Sequence, residues 1–150
     1  MLNRLGEVFR SFRDLEVRYL VIGGVAAALH GVPRATLVLD VLIEATPDNA
    51  RRLLEALLRA GLGTASLTTP DAVLAYEITV FNDLVRVDVL TSIPGLTFAP
   101  AWERRQTMRF ESQEFFVVSR DDLIATKRAT GRSVDLEDVR LLELSREGGA

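Results

Sequence analysis

The stretch GGVAAALHGVPRATLVLDVLIE, residues 23–44, joins a glycine pair, a run of small apolar residues and a strand with one carboxylate inside it. Gly24 to His30 predict a short helix, ended by Gly31 and Pro33. Thr36 to Glu44 predict a strand. Alternate residues of a strand face the same side. Thr36, Val38, Asp40, Leu42 and Glu44 therefore share one face, and Leu37, Leu39, Val41 and Ile43 the other. The second face is wholly apolar and has to be packed by helices. Asp40 points to the first face, between Val38 and Leu42, where an ionised carboxylate needs a partner.

On either side the periodicity is that of an α/β protein. Leu2, Leu5, Val8, Phe9, Phe12 and Leu15 recur at helical spacing, predicting an amphipathic helix over 2–15. VRYLVIG (17–23) predicts a buried strand stopped by glycine. Pro47 and the series Ala50, Leu53, Leu54, Leu57 and Leu58 predict a helix to Ala60, capped by Gly61. Residues 62–72 are rich in turn formers. AYEITVF (75–81) and LVRVDVL (84–90) predict two strands around an Asn82-Asp83 turn. FAPAWERR (98–105) predicts one or two helical turns, and TMRFES (107–112) with EFFVVS (114–119) a second hairpin. Two helices follow, DDLIATKRATG (121–131) and VDLEDVRLLELS (134–145), with the tail from Arg146 expected to fray. This order predicts a single α/β domain over residues 1–150, a mixed β-sheet flanked by helices with further helices at the C-terminal end.

Composition narrows the chemistry. The formal net charge of −3 argues against tight non-specific binding to nucleic acid. With no cysteine and one histidine, neither a thiolate nor a histidine-rich metal site can be built. A divalent ion has to be held by carboxylates, which selects a hard ion such as magnesium. No run reaches about 18 apolar residues, so no membrane span is expected. The opening MLNRLGEVFRSFRDLE lacks the apolar core of a signal peptide, and a cytoplasmic location is expected.

In LVRVDVL, Val85, Val87 and Val89 face one way, and Arg86, Asp88 and Leu90 the other. Asp40 and Asp88 can meet if their strands are neighbours. Two readings follow. Each aspartate is neutralised by an arginine such as Arg34 or Arg86, or the two share a magnesium ion beside a phosphate. Gly23-Gly24, directly after a strand and before a helix, adds weight to the second. Glycine lets the backbone approach closely, and a helix start aims N–H groups at an anion.

YLVIGGVAAALHGVPRAT (19–36) and LDVLIE (39–44), followed by VRVDVL (85–90) and DLIATKRATGRSVDLEDVRLL (122–142), resemble the nucleotidyltransferase-fold proteins of the polymerase-beta superfamily. The likeness is closest to the bacterial branch that includes AbiEii-type abortive-infection toxins, and it covers nearly the whole chain. The family's pattern is a glycine pair, a strand with two aspartates separated by one residue, and a third aspartate on a later strand. The branch adds a lysine helix and an Arg-x-x-Asp-x-x-Asp segment. The resemblance implies that Asp40 and Asp88 are catalytic and hold the metal. It implies nucleotide or phosphate binding by Gly23, Gly24, Arg34, Thr36 and Lys127, with Arg132, Asp135 and Asp138 in support. It further implies magnesium, a nucleoside triphosphate as donor, an RNA, protein or small-molecule acceptor, and an antitoxin or toxin partner.

One residue departs from that pattern. The first aspartate should stand at position 38, where this chain has Val38. Residues two apart on a strand are about 6.7 Å apart, a spacing that suits carboxylates clasping two ions. Valine cannot ligate, so one ion rather than two is expected and transfer should be slow or absent. Glu44 lies about 13 Å along the strand from Asp40 and is a poor substitute. The other candidates carry two readings each. Lys127 holds a triphosphate or is a solvated helix lysine. Arg132, Asp135 and Asp138 order the edge of the site, or are a helix cap and surface charges. Arg34 binds phosphate or pairs with Asp40. His30 and Trp102 are expected to be structural. Three functions remain, an impaired nucleotide-transferring enzyme, a non-catalytic nucleotide- or protein-binding member of a toxin–antitoxin or defence system, and a scaffold whose pocket is vestigial.

Overall fold

The computed structural model describes residues 2–110 and 112–148. Among them the element order is α1 (Leu2–Asp14), β1 (Tyr19–Ile22), α2 (Gly23–Leu29), β2 (Val38–Ile43), α3 (Pro47–Arg59), a 3-10 turn (Gly63–Leu67), α4 (Pro70–Ala75), β3 (Ile78–Asn82), β4 (Arg86–Leu90), α5 (Phe98–Glu103), β5 (Gln106–Phe110), β6 (Gln113–Val117), α6 (Arg120–Thr130) and α7 (Ser133–Gly148). The six strands form one mixed sheet in the order β3-β4-β2-β1-β6-β5. The pairs β1/β2, β3/β4 and β5/β6 are antiparallel, and β1/β6 and β2/β4 are parallel. The expected α/β architecture, with helices at the C-terminal end, is the one observed.

One sheet face is closed. Leu39, Val41 and Ile43 of β2, Val87 and Val89 of β4, and Phe81 of β3 are all buried. α1 packs against α3 and β6, while α2 lies on β1 and β2 and α6 packs against α2 and α7. Leu5, Val8, Phe9 and Phe12 put the apolar stripe of α1 into the core, as their spacing requires. The helix starts follow from local chemistry. The Thr46, Thr69 and Ser119 hydroxyls accept from the backbone N–H groups of Asn49, Ala72 and Asp122, capping α3, α4 and α6.

Four expectations need correction. The strand expected from Thr36 begins at Val38, which leaves Leu37 at 86% exposure rather than packed under a helix. The turn-rich segment holds a 3-10 turn and α4, and Ala75 ends that helix instead of opening β3. α7 continues to Gly148 rather than fraying from Arg146, while Gly149 and Ala150 lie outside the described residues. β5 ends at Phe110, and Glu111, included in the expected strand, also lies outside the described residues.

Candidate active site

β2 and β4 are parallel neighbours, and Asp40 is the register partner of Asp88. Neighbouring strands lie about 4.8 Å apart, so the two aspartates stand side by side on one face. Two residues earlier in the same register Val38 faces Arg86. The Arg86 guanidinium donates from Nε and Nη2 to Asp88 Oδ1 and Oδ2, at 3.0 and 3.2 Å. Asp88 is buried and therefore has the arginine partner that elementary electrostatics demands. Asp40 does not. Its carboxylate makes no hydrogen bond or ion pair with any described residue, and Arg34, a suggested partner, reaches Asp138 instead at 2.5 Å.

Gly23 sits against Asp40. It has φ +68°, a conformation that L side chains rarely adopt, and a Cβ there would lie 3.1 Å from Asp40 Cβ and closer still to Oδ2. The first glycine is therefore required by geometry. The second is less constrained, since a Cβ on Gly24 would meet Thr36 at 3.4 Å and Arg34 Cδ at 3.7 Å. Those contacts bring Arg34 and Thr36 to the glycine pair. α2 has only seven residues, so the backbone contributes here by close approach more than by an accumulated helix dipole.

The C-terminal helices supply a buried charge cluster. Lys127 Nζ donates to Asp138 Oδ2 at 2.8 Å and lies 3.5 Å from Asp135 Oδ1. Asp135 also accepts from Arg132 Nε at 2.7 Å and from Thr130 Oγ1 at 2.8 Å. Lys127, Asp135 and Asp138 are all buried. The solvated-lysine reading of Lys127 and the surface-charge reading of the two aspartates are thus corrected. Asp135 does not cap its helix either, because its carboxylate is spent on side chains. Burial pulls the Asp135 carboxyl upward, and the bonds from Arg132 and Thr130, with the Lys127 and Arg132 charges, more than reverse it. Thr130 was not foreseen, and nothing in its local sequence marks it.

A cavity of about 460 Å³ joins these parts. Gly23, Gly24, Arg34, Asp40, Lys127, Arg132 and Asp135 line it, with an apolar wall of Ile78, Leu90, Ile93 and Val134. Asp88, Thr36 and Asp138 are not among the lining residues and stand just behind it through Asp40, Gly24 and Lys127. A larger hollow of about 710 Å³ lies at the other end of β1, beside Trp102 and Glu44. Its Glu44 pairs with Arg18, and Arg105 stacks on Trp102 at 3.8 Å. His30 is structural, as expected, with Nε2 2.8 Å from the Val118 carbonyl.

Burial first, and the Asp88 charge second, push the Asp40 carboxyl up to about 6, against the pull of Arg86, Lys127 and Arg132. The sign of its linkage follows. A carboxyl raised above 3.8 contributes stability that is fully present below that pH and is lost as pH rises through about 6. The penalty for ionising it is roughly 3 kcal/mol at most, or about 2 kcal/mol once the water still reaching the group is counted. Asp40→Asn should therefore stabilise the protein by about 2 kcal/mol near pH ~7.5 and clearly less near pH ~4.5, measured by urea unfolding. An equal gain at both pH values would show that neither burial nor Asp88 holds the proton on Asp40.

An unbonded carboxylate beside a second carboxylate is a donor set for one hard cation. Among the described residues no group of three or more histidine, cysteine, aspartate or glutamate side chains that could hold a metal ion comes together. No described helix is long and apolar enough to cross a membrane.

Residues 3–147 match the model of a family described as nucleotidyltransferase of unknown function (DUF6036). No curated protein matches the chain.

Proposed function

The chain belongs to this family of nucleotidyltransferases, and from that premise we propose that it binds a nucleoside triphosphate in the cavity of Asp40 and the glycine pair and transfers its nucleotide poorly. The acceptor in this reading is an RNA end, a protein or a small molecule, and the reaction is cytoplasmic, where triphosphates are made and spent. The observation that carries it is the side-by-side register of Asp40 and Asp88 next to a glycine that cannot hold a side chain.

Asp40 and Asp88 would hold one magnesium ion, which when bound supplies positive charge to the triphosphate. The rest is done by side chains. Gly23 and Gly24 let phosphate oxygens approach the backbone, with Thr36 beside them. Arg34, Lys127 and Arg132 give the cavity a positive field, while Asp135 and Asp138 fix their positions. Val38 offers no oxygen, so the attacking hydroxyl lacks a second centre of charge, and this is the reason to expect weak transfer. The second reading, a non-catalytic nucleotide- or protein-binding member of a toxin–antitoxin or defence pair, is favoured by that same valine. The AbiEii-like branch is the relative from which such a partner would be expected.

Labelled triphosphate incubated with RNA and cell protein tests the first reading. The chain should label acceptors weakly, and Val38→Asp should raise labelling about tenfold or more. The gain should require magnesium and vanish with Asp40→Ala. Efficient labelling by the unaltered chain, with no gain from Val38→Asp, would mean that another residue completes the site.

A further inference from the structure

The Arg86–Asp88 pair lies on the sheet face that carries Asp40. Arg86 and Asp88 are two apart on β4 and so project from one face. The fork is two-pointed, Nε to Oδ1 and Nη2 to Oδ2. The carboxylate side chain is 8% exposed and the guanidinium 44% exposed, so the pair runs from the protein interior out to water. Every hydrogen bond and ion pair that the Arg86 side chain makes with described residues goes to Asp88. The other cations facing the cavity are committed elsewhere, Lys127 and Arg34 to Asp138 and Arg132 to Asp135. Asp138 and Asp135 each keep Lys127 if Arg34 or Arg132 moves, whereas Asp88 has Arg86 as its side-chain partner, so the position of Arg86 decides whether the Asp88 carboxylate is covered or open.

A divalent ion bound by Asp40 and Asp88 has to use oxygens that the guanidinium already covers, and it would meet a like charge at contact distance. A polyphosphate removes the conflict, because its oxygens accept the same fork geometry as a carboxylate. We propose that Arg86 makes ion binding conditional on polyphosphate: it covers Asp88 against free divalent cations, and passes its guanidinium to the phosphates of an arriving nucleoside triphosphate, which opens Asp88 to the ion. This rests on the reading above that Asp40 and Asp88 hold an ion. It assigns to Arg86 a substrate-binding and selecting role on the same site.

The test is one substitution read with two probes of opposite charge. Manganese alone is titrated by electron paramagnetic resonance, and inorganic tripolyphosphate is titrated calorimetrically in the presence of chelator. Arg86→Gln should bind manganese about tenfold or more tighter than the unaltered chain, and tripolyphosphate about fivefold or more weaker. Adding Asp88→Ala to Arg86→Gln should abolish the manganese gain, which locates the ion. Arg86→Lys, which keeps the charge without the fork, should lie between the two for manganese, and it carries the test should the glutamine variant not fold. Unchanged affinities for both probes, or changes in the same direction for both, overturn the proposal and leave the ion site standing. Failure of every variant to bind manganese, with or without tripolyphosphate, overturns the Asp40–Asp88 ion site itself and the proposal with it.

Discussion

Lys127→Met is expected to destabilise the protein by about 3–5 kcal/mol, because it removes one member of a buried ion pair and leaves the other. Lys127 bonds the fully buried Asp138 and lies within reach of Asp135, which is buried too. Without the ammonium, Asp138 keeps only Arg34, whose side chain is about one-third exposed and is shared with solvent. The methionine fills most of the volume, so the loss reports charge and hydrogen bonding rather than a cavity. Urea unfolding at neutral pH measures it. The double variant Lys127→Met with Asp138→Leu should recover much of the loss, since an apolar pair of similar volume can replace a buried ion pair at little cost. A loss below about 1 kcal/mol would show that Arg34 alone suffices for Asp138.

Gly23→Ala should destabilise by about 2–3 kcal/mol, from two sources that can be separated. Forcing a non-glycine residue to φ +68° costs about 1–2 kcal/mol. The remainder is the collision of the new Cβ with the Asp40 side chain. Asp40→Ala removes the carboxylate oxygen from that collision but keeps a Cβ 3.1 Å away, so it should relieve only part of the cost. A double-mutant cycle by thermal unfolding gives the shared component. Strict additivity of the two substitutions would mean that Asp40 can swing aside, and that the glycine is required by its backbone alone. Gly24→Ala, meeting Thr36 at an ordinary contact distance, serves as the comparison and should cost less than about 1 kcal/mol.

The pairing of Asp40 with Asp88 was legible because strand alternation is a strict rule of period two. Each aspartate could be assigned to a face, and only the adjacency of β2 and β4 had to be supplied. The helix at 70–75 was also legible in principle. Thr69-Pro70 is a cap followed by a residue suited to the first turn, and the serines and threonines around it hid that signal. The burial of Lys127 had a signal of another kind. It follows Leu123 and Ile124 by four and three residues, and Asp138 precedes Leu142 by four, all of them buried. A charged residue at the core spacing of each of two successive helices points to an ion pair between them. The partner of Arg34 could not be read, because 104 positions separate it from Asp138 and no local rule reaches that far. The lone state of Asp40 follows from the same contact, since the arginine nearest in sequence is drawn to the last helix.

That long contact governs the order in which the protein can be made. The Arg34–Asp138 bond and the Ser145–His30 bond tie the loop before β2 to α7 across 104 and 115 positions. Closing a loop of that length costs roughly 2 kcal/mol more than closing one of ten residues, and the cost falls due before any contact rewards it. A nascent chain that has exposed both aspartates but not yet α7 holds the sheet side of the cavity with no opposite wall. Arg34 and Lys127 would then lack the acid that orients them. On the proposed reading, phosphate recognition would emerge in one step with the docking of α7, so chains still lacking that helix would not sequester nucleotide on the ribosome.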